Sequence, residues 1–315
     1  MEFIAEIKNE VDVSYYIFIN YKKIFLYIKV LESKINFKYD DQGILRNKKD
    51  NSKLPKVSKE EYDLISQYSS KYILYNLIKK QELLPIYIPF NSENYFEKDS
   101  SLAQCIVLAS KDFKTNSKCL IMIQGAGHVT LGEWANSCCV NEGLKMGSML
   151  PFVEKAKQNG FSILIMNPNE RYGLDGKNII IFKNMKEHCI YAYENLIFKN
   201  DKIKEVYFIS HSLGGECNVE ILKLFEKDLL NNRIKKIAFT DGLQGGSCLS
   251  LSKEGIKKLR KISRNYIASN EVKGKFMETE SYFSGCDVYS SGVNIHEYTT
   301  GNVINEIFTF FEEKN

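Results

Sequence analysis

Apolar positions along this chain follow two rhythms. Short apolar runs bounded by polar or turn-forming residues predict strands near Leu84–Ile88, Cys105–Ala109, Cys119–Ile123 and Ser162–Met166. Four more follow near Val206–Ile209, Ile237–Thr240, Tyr266–Ala268 and Val288–Ser290. Between them, apolar residues spaced three and four apart predict helices near 148–159, 185–198, 214–227, 252–262 and 302–312. Such alternation is the pattern of an α/β fold, a mostly parallel central sheet with helices on both faces. A leading helix over 58–81 places Tyr62, Ile65, Tyr72, Ile73 and Leu77 on one face, and Ser58-x-x-Glu61 supplies a capping box at its start. Residues 1–36 read as an N-terminal extension of one or two short aromatic-rich strands with a turn near Asn20 to Lys23. Residues 40–59 read as a polar loop, and 37–315 as one domain that includes the leading helix.

Composition narrows the function classes. A chain of 315 residues with 44% hydrophobic content can bury a large single core. Its 43 basic and 39 acidic side chains leave a net charge of +4, so the electrostatic footprint of a DNA-binding protein is missing. Lys253, Lys257, Lys258, Arg260, Lys261 and Arg264 form one basic helix, but no aromatic residues interleave to stack bases, and a solvated face is the expectation. The eight cysteines form no C-x-x-C, and the four histidines are scattered, so neither a metal nor another cofactor is expected. The start lacks a basic n-region and a cleavage site. Lysines and an asparagine break the apolar patches of 13–31, so no membrane span is expected there. A reducing compartment, nucleus or cytoplasm, follows as the expectation, and secretion does not.

The densest chemistry lies at Glu205-Val206-Tyr207-Phe208-Ile209-Ser210-His211-Ser212-Leu213-Gly214-Gly215. An apolar strand runs into Ser-His-Ser-Leu-Gly-Gly and a helical pattern follows at once, as in a nucleophile elbow. There a serine on a sharp turn exposes its Oγ and aims the next backbone N–H at a reacting oxygen. Small residues are needed two before and two after it; Ser210 and Gly214 meet that need, with Ser210 replacing the glycine of the strict motif.

A serine nucleophile needs a base, an orienting acid and an oxyanion hole, in the chain order serine, acid, histidine for this architecture. His296 is the one histidine downstream of Ser212, and it falls between the last strand and the C-terminal helix. Two acids compete. Asp241 ends the strand next to the elbow; Glu271 follows the strand after that, the usual position, and is preferred over Asp241 on that ground. The second oxyanion donor is expected from Gln124-Gly125-Ala126-Gly127, where Gly125 and Ala126 pair with Leu213 after the serine. His128, Trp134, Asn167 and His211 flank these turns and are expected on the pocket wall. By itself the site implies hydrolysis of a small acyl substrate, an ester, thioester or amide.

Collinear blocks extend the picture. Gln124-Gly125-Ala126-Gly127, Gly132-Glu133-Trp134-Ala135, Asn141-Glu142, Pro151-Phe152 and Asn167-Pro168-Asn169-Glu170 are followed by His211-Ser212-x-Gly214-Gly215, Thr240-Asp241 and His296-Glu297. In this order they resemble the Argonaute-binding-protein-two domain family, whose animal members are cotranscriptional regulators. The resemblance runs over roughly residues 37 to 312. One departure is the near absence of the charged insertion that animal members carry after Asn-Pro-Asn-Glu. The resemblance implies an α/β-hydrolase-like fold. It also implies association with Argonaute or chromatin factors in small-RNA silencing, heterochromatin or splicing control.

Overall fold

The computed structural model describes residues 24–91, 95–99 and 101–313. Eight strands form one sheet: β3 (Leu84–Ile88), β4 (Cys105–Ala109), β5 (Lys118–Ile123), β6 (Ser162–Ile165), β7 (Glu205–His211), β8 (Ile234–Thr240), β9 (Ser263–Ile267) and β10 (Asp287–Ser290). Their order across the sheet is β3-β4-β6-β5-β7-β8-β9-β10. Only β4 runs against the others: its pairings with β3 and β6 are antiparallel, and the remaining five are parallel. This order, with helices on both faces, is an α/β-hydrolase-like fold. Each of the eight strands expected between residues 84 and 290 is present, within a few residues of its predicted ends.

The central strands are apolar on both faces because both faces are covered. Period-two alternation sorts their side chains. Leu120, Met122, Tyr207, Ile209 and Ala238 join one core; Cys119, Ile121, Ile123, Val206, Phe208, Ile237 and Phe239 join the other. The first core is closed by α1 (Lys59–Lys79) through Ile65, Tyr68, Ile73 and Leu77, by α2 (Leu150–Gln158) through Phe152 and Val153, and by the C-terminal helix Ile304–Glu312 through Ile307 and Phe308. The second is closed by α3 (Met185–Ala192) through Met185 and Cys189, by α4 (Leu213–Leu224) through Cys217 and Ile221, and by α5 (Lys253–Ile262) through Leu259 and Ile262. Each isoleucine, leucine, valine, phenylalanine or methionine among them contributes about 1.5–3 kcal/mol on burial. At the start of α1, Ser58 Oγ accepts the Glu61 N–H at 3.2 Å, as the capping signal predicts.

The N-terminal expectation changes. Residues 1–23 of the predicted one or two strands, including the turn near Asn20 to Lys23, lie outside the described residues. Residues 24–34 are helical rather than extended. Ile28, Leu31 and Ile35, at helical spacing, are buried in the first core, so packing on α1 overrides the β preference of the neighbouring aromatic residues. The polar segment after it contains a small hairpin: β1 (Phe37–Tyr39) pairs with β2 (Leu45–Asn47). Asp40 Oδ1 fixes its turn by accepting the Gln42 and Ile44 N–H groups.

The topology creates a crevice. From β5 the chain crosses to β6 on one side; from β7 it crosses to β8 on the other. The loops leaving these adjacent parallel strands therefore separate at their carboxyl ends, where sheets of this kind bind ligands. Ser212 and the Gln124–Thr130 loop both emerge there.

Candidate functional site

Ser212 sits between the last residue of β7 and the first residue of α4, with φ 52° and ψ −124°. A side chain at positive φ stores about 1–3 kcal/mol of strain and persists only where its surroundings hold it. Here the Ser212 N–H donates to the Thr240 carbonyl at 3.1 Å, while its own carbonyl accepts from Gly215 and Leu243, both at 3.0 Å. A Cβ on Gly214 would lie 2.7 Å from the Ile123 carbonyl oxygen and 2.8 Å from that of Gln124, which is why a glycine stands there. At the other small position, Ser210 is buried and its Oγ accepts from Asn218 Nδ2 at 3.1 Å. The Leu213 N–H occupies the first position of α4, where a helix offers no internal acceptor.

The loop after β5 crosses directly over the serine. A Cβ on Gly125 would come within 2.9 Å of Ser212 Cβ and 3.2 Å of His211 Cδ2. A cavity of about 330 Å³ opens beside this contact, lined among others by Tyr62, Ala126, His128, Trp134, Ser212 and His296.

His296 begins a short 3-10 turn after β10, and its Nδ1–H donates to Asp241 Oδ2 at 2.6 Å. The carboxylate can only accept, so the neutral ring carries its lone pair on Nε2. The hydrogen bond to Asp241 raises the His296 pKa from its ordinary value, against the opposing effect of partial burial. Asp241 is held in turn: its N–H donates to the Tyr266 carbonyl at 2.8 Å, and its Oδ1 accepts the Ala268 N–H at 3.2 Å.

The preference for Glu271 as the acid is corrected by this geometry. Glu271 is exposed and pairs with Lys275 at 2.7 Å. Strand β8 lies next to β7, so its end reaches the serine side of the crevice; Glu271 follows β9, one strand further out, and turns to solvent. The sequence signal for the nearer acid is Thr240-Asp241 at the very end of β8.

His211, His128 and Trp134 border the cavity, whereas Asn167 does not. Asn167 lines a neighbouring cleft of about 390 Å³ on the far side of the 127–130 loop, with Ser70, Lys71 and Glu170. It is drawn there because its side chain caps the Ile106 carbonyl of β4 and its N–H meets His188 Nε2, each at 3.2 Å. Trp134 is 1% exposed and packs edge-on against Phe152, so it is a rigid wall.

His211 is buried, and its Nδ1 faces the Thr240 carbonyl at 2.9 Å and Thr300 Oγ1 at 3.1 Å. Its ring centroid lies 4.6 Å from that of His296. Burial, reinforced by His296, pulls its pKa down to about 4, so it is a neutral neighbour to the site at ordinary pH. Thr240 and Thr300, joined Oγ1 to Oγ1 at 2.7 Å, support this ring; Thr240 stands in the motif blocks only as the neighbour of Asp241, and Thr300 was not singled out in the sequence. Their pairing carries no signal until the fold brings β8 against the segment after His296.

Among the described residues, no three His, Cys, Asp or Glu side chains gather to hold a metal, and no helix is long and apolar enough to cross a membrane. All eight cysteines are buried and unbridged; burial raises the Cys105 and Cys119 thiols far above the range of a reactive thiolate.

Comparison with known proteins adds a family. Residues 27–182 match the Arb2 domain. A cotranscriptional regulator ARB2A homolog of Dictyostelium discoideum is 29% identical over 315 residues, covering 88% of this chain and 78% of that protein. The human cotranscriptional regulator ARB2A is 24% identical over 312 residues, covering 82% and 73%. Among solved structures, a histone deacetylase from Saccharomyces cerevisiae aligns over 79% of this chain and 97% of its own, with a TM-score of 0.49 and 12% identity. The domain match and the collinear relatives together place the sequence: residues 27–182 match the Arb2 domain, and over most of its length the chain is similar to cotranscriptional regulators that carry it.

Proposed function

We propose that this chain is a cotranscriptional regulator, as its Arb2 relatives are named, whose hydrolase-like fold carries a working serine acyl-hydrolase site. The observation that carries the chemistry is the 2.6 Å hydrogen bond to Asp241 from Nδ1 of His296, a ring that lines the same cavity as Ser212. With Nδ1 committed to Asp241, Nε2 is the basic atom. It takes the Ser212 proton as Oγ attacks the carbonyl of an ester, thioester or amide. The developing oxyanion is met by the N–H groups of Leu213 and Ala126, one such donor being worth about 3 kcal/mol. The imidazolium then protonates the leaving group, and water, deprotonated by the same Nε2, releases the acid from Ser212.

Labelling of the purified protein with a fluorophosphonate probe tests the site. Wild type takes up the probe, and Ser212→Ala and His296→Ala do not. A well-folded wild type that remains unlabelled defeats the hydrolase reading.

The regulatory half rests on the relatives' names and on the resemblance of the motif blocks. It takes Argonaute or chromatin-associated silencing proteins as partners, in nucleus or cytoplasm. Recovery of an Argonaute with the tagged chain, unaffected by Ser212→Ala, supports a scaffold role separate from the chemistry. Absence of Argonaute and chromatin factors from such a recovery, in cells competent for small-RNA silencing, counts against it.

A further inference from the structure

The Ala126 N–H stands in an exposed stretch, Ala126 to His128, that has little holding it from within: a Cβ placed on Gly127, at φ +117°, would meet nothing within 4 Å. What fixes such a segment is what holds its ends. A single side chain spans them. Asn169 Nδ2 donates to the Gly125 carbonyl at 2.9 Å and to the Val129 carbonyl at 3.1 Å. Both partners are acceptors, and the amide nitrogen, with two hydrogens in one plane, serves both.

Secondary ties converge on the same loop. Gln124 Nε2 also donates to the Val129 carbonyl at 3.1 Å, and the buried Glu133 accepts the Thr130 N–H at 2.9 Å. The turn that carries Asn169 is itself anchored, since the preceding Asn167 bonds His188 and Ile106. Thus β4, β6 and α3 brace a clamp that closes over the loop beside Ser212.

We propose that Asn169 is a positioning residue for the acyl-hydrolase reaction, a reading that rests on the function proposed above. By tying the carbonyls of Gly125 and Val129 together, it holds the Ala126 N–H over Ser212 before charge develops on the substrate. It touches no reacting atom. A donor already in place costs no reorganisation in the transition state; a loop free to swing loses that advantage.

The test uses Asn169→Ala and Asn169→Asp, the latter keeping the shape while replacing the donor by an acceptor. Hydrolysis of p-nitrophenyl acetate and fluorophosphonate labelling are measured beside hydrogen exchange of the 126–130 amides. The expected result is a kcat lower by roughly 10- to 100-fold with KM little changed. The pH midpoint of the rate stays where it was, because the Asp241–His296 pair is untouched. Exchange of the loop amides quickens while the thermal midpoint stays near wild type. Asn169→Asp is as slow as Asn169→Ala or slower.

Wild-type kcat in either variant, a loss confined to KM, or a shifted pH midpoint overturns the proposal. A wild type that neither hydrolyses nor labels defeats the hydrolase reading alone, and the exchange arm still decides the clamp. Unchanged exchange in Asn169→Ala then overturns it; faster exchange supports it.

Discussion

Which proton sits on which ring nitrogen governs the site at the scale of single residues. In the proposed reaction His296 must be neutral to accept the Ser212 proton, and its bond to Asp241 raises its pKa above the ordinary value. Labelling should therefore fall as pH drops through a midpoint above about 6.5. Asp241→Asn removes the charge that favours the imidazolium, so the midpoint should move to lower pH. The plateau rate should drop steeply as well, roughly 10⁴-fold for the equivalent loss in a serine triad. A rate profile from pH 5 to 9 reads both effects. Ser212 supplies a second prediction, because its φ of 52° and ψ of −124° are a conformation that only glycine adopts with ease. Ser212→Gly should abolish labelling and raise stability by about 1 kcal/mol, read from denaturant midpoints. A destabilised variant would mean that the turn is not strained by its side chain.

Close approach decides the outcome at the scale of elements. α4 begins so near the end of β5 that Gly214 has two carbonyl oxygens where a Cβ would go. Gly214→Ala should therefore push α4 from the sheet and lower stability by about 1–3 kcal/mol, despite alanine's better helix propensity. A thermal midpoint at or above wild type would refute this. The strands and most helices were legible in the chain because their periodicity is local. The helical residues 24–34 were not, since aromatic side chains suit either element and only the buried Ile28, Leu31 and Ile35 favour the helix. The acid was misassigned for a related reason. Order along the chain favours Glu271, whereas the order of strands across the sheet puts the end of β8 beside the serine.

Across the whole molecule, two histidines that the core keeps neutral contribute to acid sensitivity. Burial lowers the pKa of His188 to about 3, and that of His211 to about 4. Unfolded, each takes a proton near pH 6.5, so the unfolded state binds more protons as pH falls below that value. Stability is thus full above about 6.5 and declines toward pH 4, by about 1 kcal/mol per pH unit for each ring. His296 has the opposite sign. Its raised pKa contributes stability that is present below its unfolded value and lost as pH rises through the folded one. Half-exposed, it is screened by solvent and offsets little. Denaturant unfolding at pH 7 and pH 4.5 should show the net loss, and His188→Gln should reduce the difference between the two. The same pH difference in His188→Gln as in wild type would mean that this ring is not held neutral.

The sequence alone determined the alternation of strand and helix, the serine on its turn, the histidine after the last strand and the glycine-rich loop after β5. Each is written in contiguous residues whose spacing or steric need is local. The partner of His296, the threonines behind His211 and the clamp from Asn169 were decided only when the sheet was assembled. They join positions 55, 89 and 44 residues apart in the cases of His296 with Asp241, His211 with Thr300, and Asn169 with Gly125. A carboxylate, a hydroxyl or an amide has many potential partners along a chain. Strand order and the crossing of loops at the switch between β5 and β7 reduce them to one.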